Sequence, residues 1–144
     1  MTAPGRVLAV DLGQRRTGLA ISDALRLLAS PHLTLDKERS TSDRVRRIAR
    51  LCAELSVTRV LVGLPLHLNG HEGDSARAAR EFAQRLGERT GLPVELVDER
   101  LTTVTAHERL GEAGVRARDR RGVIDQAAAA VLLQEWLDRA QRSA

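Results

Sequence analysis

Four acidic residues are candidates for joint chemistry: Asp11, the neighbours Asp98 and Glu99, and Asp125. They are far apart in the chain. Asp11 ends the apolar run Val7-Leu8-Ala9-Val10, and Asp98 ends Val94-Glu95-Leu96-Val97. Open α/β sheets take their ligands just beyond the carboxyl ends of such strands. Asp125 is expected in the opening turn of the last helix, where the helix dipole favours a carboxylate. If that helix packs across the first strand, Asp125 faces Asp11. Acids gathered this way repel one another unless a cation sits among them. All-oxygen donors select a hard ion, magnesium or manganese, over zinc. Two such ions about 4 Å apart clamp the attacking and leaving oxygens of an in-line displacement at phosphorus. Each acid also has a plainer reading. Asp11 could start a turn with Gly13, Asp98 could pair with Arg100, and Asp125 could be an ordinary helix-start acid.

The elements that must position these acids follow from the pattern of apolar residues. The first strand runs to about Asp11. A short turn, Gly13-Gln14-Arg15-Arg16, leads into Thr17-Gly18-Leu19-Ala20-Ile21-Ser22, which predicts an antiparallel hairpin. Ser30 to Leu35 contains Pro31 and suits a strand at the sheet edge. Ser40 to Asp43 is rich in N-cap residues, and Val45, Ile48, Leu51, Cys52 and Leu55 then share one helical stripe. Arg44, Arg46, Arg47 and Arg50 lie off that stripe, as on a solvated face. Arg59 to Pro65 is a second buried strand; because it follows a helix, it runs parallel to the first.

The stretch from Leu66 to Asp74 reads as a polar loop. Its His67 and His71 read as solvated, and Gly70 as a turn residue. Asp74 is expected to cap the next helix, with Ala78, Ala79, Phe82 and Leu86 inward. Gly91 and Pro93 stop that helix. The strand ending at Asp98 comes next. A helix capped by Thr102 or Thr103 follows, running through His107 and Leu110. The basic segment from Val115 to Arg121 has no clear periodicity and reads as a loop. The last helix starts near Gly122, with Trp136 as a core anchor. The expected order is β-β-β-α-β-α-β-α-α. This is an α/β domain spanning residues 1–144, with a five-stranded mixed sheet, an antiparallel hairpin wing, parallel strands and helices on both faces.

Composition narrows the function classes. The 144 residues carry 23 basic and 19 acidic side chains, a net charge of +4. Lys37 is the sole lysine. Arginine binds phosphate bidentately and stays charged, which suits a polyanionic partner. One Phe, one Trp and no Tyr argue against base stacking on aromatic platforms. Cys52 alone excludes an intramolecular disulfide and a cysteine zinc cluster, and it reads as a small core residue. No charged-then-apolar leader occupies Met1 to Pro4, and no apolar run approaches the ~20 residues of a membrane span. A cytoplasmic location with no membrane partner is expected.

Four ordered blocks then carry a family resemblance. They are Val10-Asp11-Leu12-Gly13 with Arg16-Thr17-Gly18-Leu19-Ala20 and Ser22-Asp23; Val62-Gly63-Leu64-Pro65 with Asn69-Gly70; Asp98-Glu99-Arg100-Leu101-Thr102-Thr103; and Asp125-Gln126-Ala127-Ala128-Ala129-Ala130. In these blocks the whole chain resembles the YqgF family of ribonuclease H-like nucleases, known for pre-16S rRNA processing and Holliday junction resolution. The resemblance implies a ribonuclease H-like sheet and phosphodiester hydrolysis with one or two Mg2+ or Mn2+ ions. Asp11 and Asp125 carry over as catalytic, metal-binding acids. The third acid comes from the Asp98-Glu99 pair. Glu99 is favoured for its longer reach past the intervening strand, and Asp98 is the alternative ligand. Related resolvases place an acid at the end of the middle parallel strand, where this chain has Gly63-Leu64-Pro65.

Arg16, Arg100, Arg116, Arg118, Arg120 and Arg121 flank the expected site and are candidate nucleic-acid contacts. For Arg16 and Arg100, a surface salt bridge is the competing role. The implied substrate is precursor rRNA, in 5′-end maturation of 16S rRNA. Branched DNA, as a Holliday junction, is the alternative. A nucleic-acid-binding factor with a degenerate site is a rival of another class. Resolvases act as dimers on a two-fold junction, so a homodimer is compatible, though no interface is legible in the sequence.

Overall fold

The computed structural model describes residues 3–100 and 117–143. β1 (Arg6–Leu12), β2 (Thr17–Ser22) and β3 (Ala29–Leu35) come first, then α1 (Thr41–Glu54), β4 (Val57–Leu64), α2 (Asp74–Thr90), β5 (Val94–Asp98) and α3 (Ala117–Arg142). The helix expected after Thr102 lies outside the described residues. The strands form one sheet in the order β3-β2-β1-β4-β5. β1 pairs antiparallel with β2 and parallel with β4, and β5 is parallel to β4. The hairpin is closed by the Gly13 amide donating to the Arg16 carbonyl at 2.9 Å. β3 is an edge strand, and its Pro31 coincides with a register shift against Leu19 and Ala20, as a strand lacking one donor requires.

Alternation along each central strand splits the core in two. Leu8 and Val10 of β1 join Val60, Val62 and Leu64 of β4 in a layer with α1 and α2. Val7, Ala9, Ala20 and Leu61 face the other way and pack against Ala129, Leu132, Leu133 and Leu137 of α3. Fully burying each such leucine contributes about 1.5–3 kcal/mol. The same period of two carries past the apolar runs, so it decides which polar residues at the strand ends meet α3. The buried hydroxyl of Ser22 ties the two hairpin strands together. Ser22 Oγ accepts from the Val7 amide at 2.8 Å and donates to the Asp23 carbonyl at 2.9 Å.

Several expectations are corrected. Gly73, not Asp74, is the N-cap of α2; Asp74 is its first residue, where its charge suits the helix dipole. Ala78 is exposed, because the buried stripe is Ala76, Ala79, Phe82, Ala83 and Leu86. α3 begins at Ala117 rather than near Gly122. Its opening has no apolar periodicity to announce it, but alanine and arginine are strong helix formers. Arg118, Arg120 and Arg121 therefore lie on helix rather than in a loop, and Arg116 lies outside the described residues. Asp125 sits more than two turns into α3, so the helix-start dipole is not what accommodates it. The α1 stripe is as expected, with Val45, Ile48, Leu51 and Cys52 buried and Ser40 accepting from the Asp43 amide. Arg44 departs from the solvated face: its Nη1 and Nη2 donate to the Gly13 and Gln14 carbonyls, both at 2.7 Å.

Candidate active site

Parity places Asp11 two residues beyond Ala9, on the α3 face of β1. On β5, Glu95 and Val97 face α3, and Glu99 continues that series just past the strand. The Glu99 amide donates to the Leu64 carbonyl at 3.3 Å, which fixes where its side chain starts. β5 is the outermost parallel strand, and β4 lies between it and β1. The Glu99 carboxylate crosses β4 over Gly63, where an added Cβ would collide with Glu99 Oε2. Glycine at that position leaves room for an acid arriving from the neighbouring strand. The Gly63-Leu64-Pro65 segment thus lacks an acid of its own and accommodates one from β5.

Asp11 and Glu99 are hydrogen-bonded to each other. Burial raises the Asp11 carboxyl to about 6; the bond from Glu99 offsets part of this, and the charge of Asp125 adds to it. Burial, then the charge of Asp11 and the hydrogen bond to it, raise Glu99 to about 8. A hydrogen bond between two carboxyls requires a proton, and the metal-free pair titrates as a unit rather than as two independent acids.

Asp125 reaches this end of the sheet because α3 lies against β2 at Gly18, the residue paired with Asp11 in the hairpin. A Cβ on Gly18 would overlap the Asp125 carbonyl and crowd its Cβ. The Asp125 side chain interacts electrostatically with Asp11 and is held by Arg16, whose Nε lies 3.3 Å from Oδ2. Burial raises Asp125, and the Arg16 guanidinium pulls it back.

The remaining candidates fall elsewhere. Asp98 points away from this group and pairs with Arg100, Nη2 to Oδ2 at 2.6 Å, which lowers its carboxyl below the usual range. Arg100 also donates to the Leu68 carbonyl at 3.4 Å, so it braces the strand end and the loop before α2. Among the described residues, Asp11, Glu99, Asp125 and Arg16 come together, whereas Asp98 and Arg100 form a separate exposed pair. His67 and His71 stack with ring centroids 5.9 Å apart in a small loop, where the His67 amide donates to the His71 carbonyl at 3.0 Å. Gly70 turns that loop with φ of +85°. The choice of Glu99 over Asp98 had a signal in the sequence besides arm length: Glu99 shares the parity of Val97, and Asp98 does not.

Asp11, Glu99 and Asp125, from three elements, thus come together at the carboxyl edge of a mixed sheet with the ribonuclease H-like fold. In fold, the chain is similar to RuvC of Thermus thermophilus in complex with a Holliday junction substrate: TM-score 0.59 and 15% identity, over 94% of this chain and 95% of that one. The chain belongs to the RuvX family, described as Holliday junction resolvase, whose model matches residues 5–139. A Mycobacteroides abscessus relative named "Putative pre-16S rRNA nuclease" is 50% identical over 96% of this chain and 84% of its own length. One from Anaeromyxobacter dehalogenans with the same name is 49% identical over 93% of this chain and 97% of its own.

Proposed function

We propose that this nuclease matures the 5′ end of pre-16S rRNA by divalent-metal-dependent hydrolysis, with Asp11, Glu99 and Asp125 as its catalytic acids. The observation that carries the reading is the buried, hydrogen-bonded Asp11–Glu99 carboxyl pair beside Asp125. Two carboxyls kept this close away from water need a positive charge between them, and a hard cation can take the proton's place. The donor set is all oxygen and suits Mg2+ or Mn2+. Among the described residues, no three His, Cys, Asp or Glu side chains stand in a metal-holding group. Asp11 and Glu99 would supply the first ligands, and Asp125 would join on leaving Arg16; Asp98 would stay with Arg100. The ion supplies Lewis-acid polarisation of the phosphodiester and neutralises charge as it develops. The protein's own side chains orient and shield: Arg16, released from Asp125, is positioned to meet a phosphate oxygen, and Glu99 reaches the site over Gly63.

The substrate assignment draws on the names of relatives about half identical over nearly the whole chain. The family's own description supports Holliday junction cleavage as the second reading, with a homodimer on the two-fold junction. Arg16, Arg100 and the α3 arginines Arg118, Arg120 and Arg121, with Arg116 before them, are proposed nucleic-acid contacts. No described helix is long and apolar enough to cross a membrane; a cytoplasmic site of action is part of the proposal.

The test is Mn2+-dependent cleavage of a precursor 16S rRNA fragment and of a four-way junction, by wild type and by Asp125→Asn. Wild type is expected to cut the RNA, and the variant to fold normally and lose cleavage. Cleavage that survives in Asp125→Asn contradicts the acid assignment. Junction cleavage without RNA cleavage supports the second reading. A wild type that binds but cuts neither substrate points to a binding factor.

A further inference from the structure

At the same edge of the sheet as the acids, between the starts of α1 and α2, lies a cleft of about 390 Å³. That volume falls at the lower end of the ~300–1,000 Å³ of small-ligand sites. Its floor is apolar: Leu12, Pro65, Ala78 and Phe82. Three charged side chains line it, Arg44 from α1, Glu81 from α2 and Glu99. Neither Arg44 nor Glu81 has an ion-pair partner among the described residues.

Arg44 is half-buried and fixed by the two carbonyls of the β1–β2 turn, which accept hydrogen bonds without neutralising it. An arginine oriented by neutral acceptors keeps its charge and its remaining N–H groups for an anion. Glu81 can only accept hydrogen bonds, so it calls for a ligand that also carries N–H or O–H donors. An anionic group, an apolar body and hydrogen-bond donors in one ligand describe a nucleotide. We infer that this cleft binds one nucleotide of the substrate strand, its phosphate at Arg44, its base against the aliphatic surface of Leu12, Pro65 and Ala78, and its sugar hydroxyl or base amino group on Glu81. The inference rests on the nuclease reading for its biological sense, because the shared Glu99 makes the cleft the neighbour of the cutting site. Its physical content is a binding site that needs no cleavage to be observed.

The experiment uses the full chain, isotope-labelled and free of divalent metal, titrated with a nucleoside 5′-monophosphate, with inorganic phosphate and with a tetranucleotide. The amides of Gly13, Arg44, Ser75 and Ala78 are expected to shift with the monophosphate and the tetranucleotide. Ala78 and Glu81 are exposed, so Ala78→Leu and Glu81→Gln should fold normally. Each is expected to weaken binding about tenfold, the scale of one lost charge-assisted hydrogen bond or a filled cleft, and to raise KM for oligonucleotide cleavage with little change in kcat. Arg44 itself is left intact, since it also braces the turn. Shifts confined to other surfaces, or wild-type affinity in both variants, would overturn the inference. Inorganic phosphate binding as tightly as the monophosphate would overturn the nucleotide assignment. Cleft binding without cleavage would sink the nuclease reading alone; cleavage with a silent cleft would sink this inference alone.

Discussion

Asp11 and Glu99 bind their proton more tightly in the folded chain than in the unfolded one, because burial penalises a second charge. Their contribution to stability is therefore fully present below the ordinary carboxyl range of about 4. It is lost as the pH rises through about 6 and then about 8. Metal-free protein should melt lower at pH 9 than at pH 5, by about 5 °C or more. Mn2+ should restore the loss at high pH, and Glu99→Gln should flatten the profile. Differential scanning calorimetry across that pH range, with and without the ion, checks this; a profile rising with pH would refute the shared proton. Arg16 competes with any cation for Asp125. The two side chains are 33% and 26% exposed, so their pairing is worth about 1 kcal/mol or less. Arg16→Ala should therefore tighten Mn2+ binding only several-fold, measured by titration calorimetry, while lowering cleavage if the arginine meets phosphate.

Two glycines at the element scale make opposite predictions. A methyl at Gly18 would meet the Asp125 backbone on α3, which can move only with the helix. Gly18→Ala should destabilise the chain by about 1–3 kcal/mol and displace Asp125, read as a drop in the urea midpoint together with lost activity. A methyl at Gly63 would meet the far end of the Glu99 side chain, which can swing aside, and lie 3.2 Å from Leu132 Cδ1, which need give by only a few tenths of an ångström. Gly63→Ala should leave the urea midpoint nearly unchanged and still abolish cleavage. Equal effects of the two changes on stability would contradict the assigned contacts. The elements themselves were legible: the apolar runs, the Ser40 cap, the Gly91 stop and the short Gly13 turn each carry a local reason. The start of α3 was not, because propensity without periodicity is a weak signal beside an arginine-rich stretch. Ala78 and Arg44 were misplaced for a related reason. A stripe count tells which residues turn inward, not which exposed ones line a cleft between two helices.

At the scale of the molecule, one sheet sandwiched between two helical layers brings the carboxyl ends of β1, β4 and β5 to a single edge. The charge is almost wholly arginine on its basic side, so binding to nucleic acid should be steeply salt-sensitive. Raising salt from 50 to 200 mM should weaken binding by about tenfold or more, seen in filter or anisotropy assays. A salt-independent affinity would remove the phosphate-contact role of these arginines. Trp136 shows how a core anchor also ties layers together. Its Nε1 donates to Glu95 at 2.7 Å, and Arg26 and Arg59 lie 5.9 and 5.8 Å from its ring. That cluster lies near the amino ends of the parallel strands, away from the acids, and its part is structural.

The sequence by itself determined the strands, their directions and the acids at their ends, because strand period and helix stripe are local and repeat every few residues. It also narrowed the third acid to Asp98 or Glu99. The tertiary structure decided what those acids do to one another: that Glu99 crosses a glycine to share a proton with Asp11, that Asp125 is held by Arg16, and that Arg44 guards a cleft. Such contacts join residues tens of positions apart, and they depend on how closely a helix and a sheet approach. That distance is set by the whole packed core and is written in no single stretch of the chain.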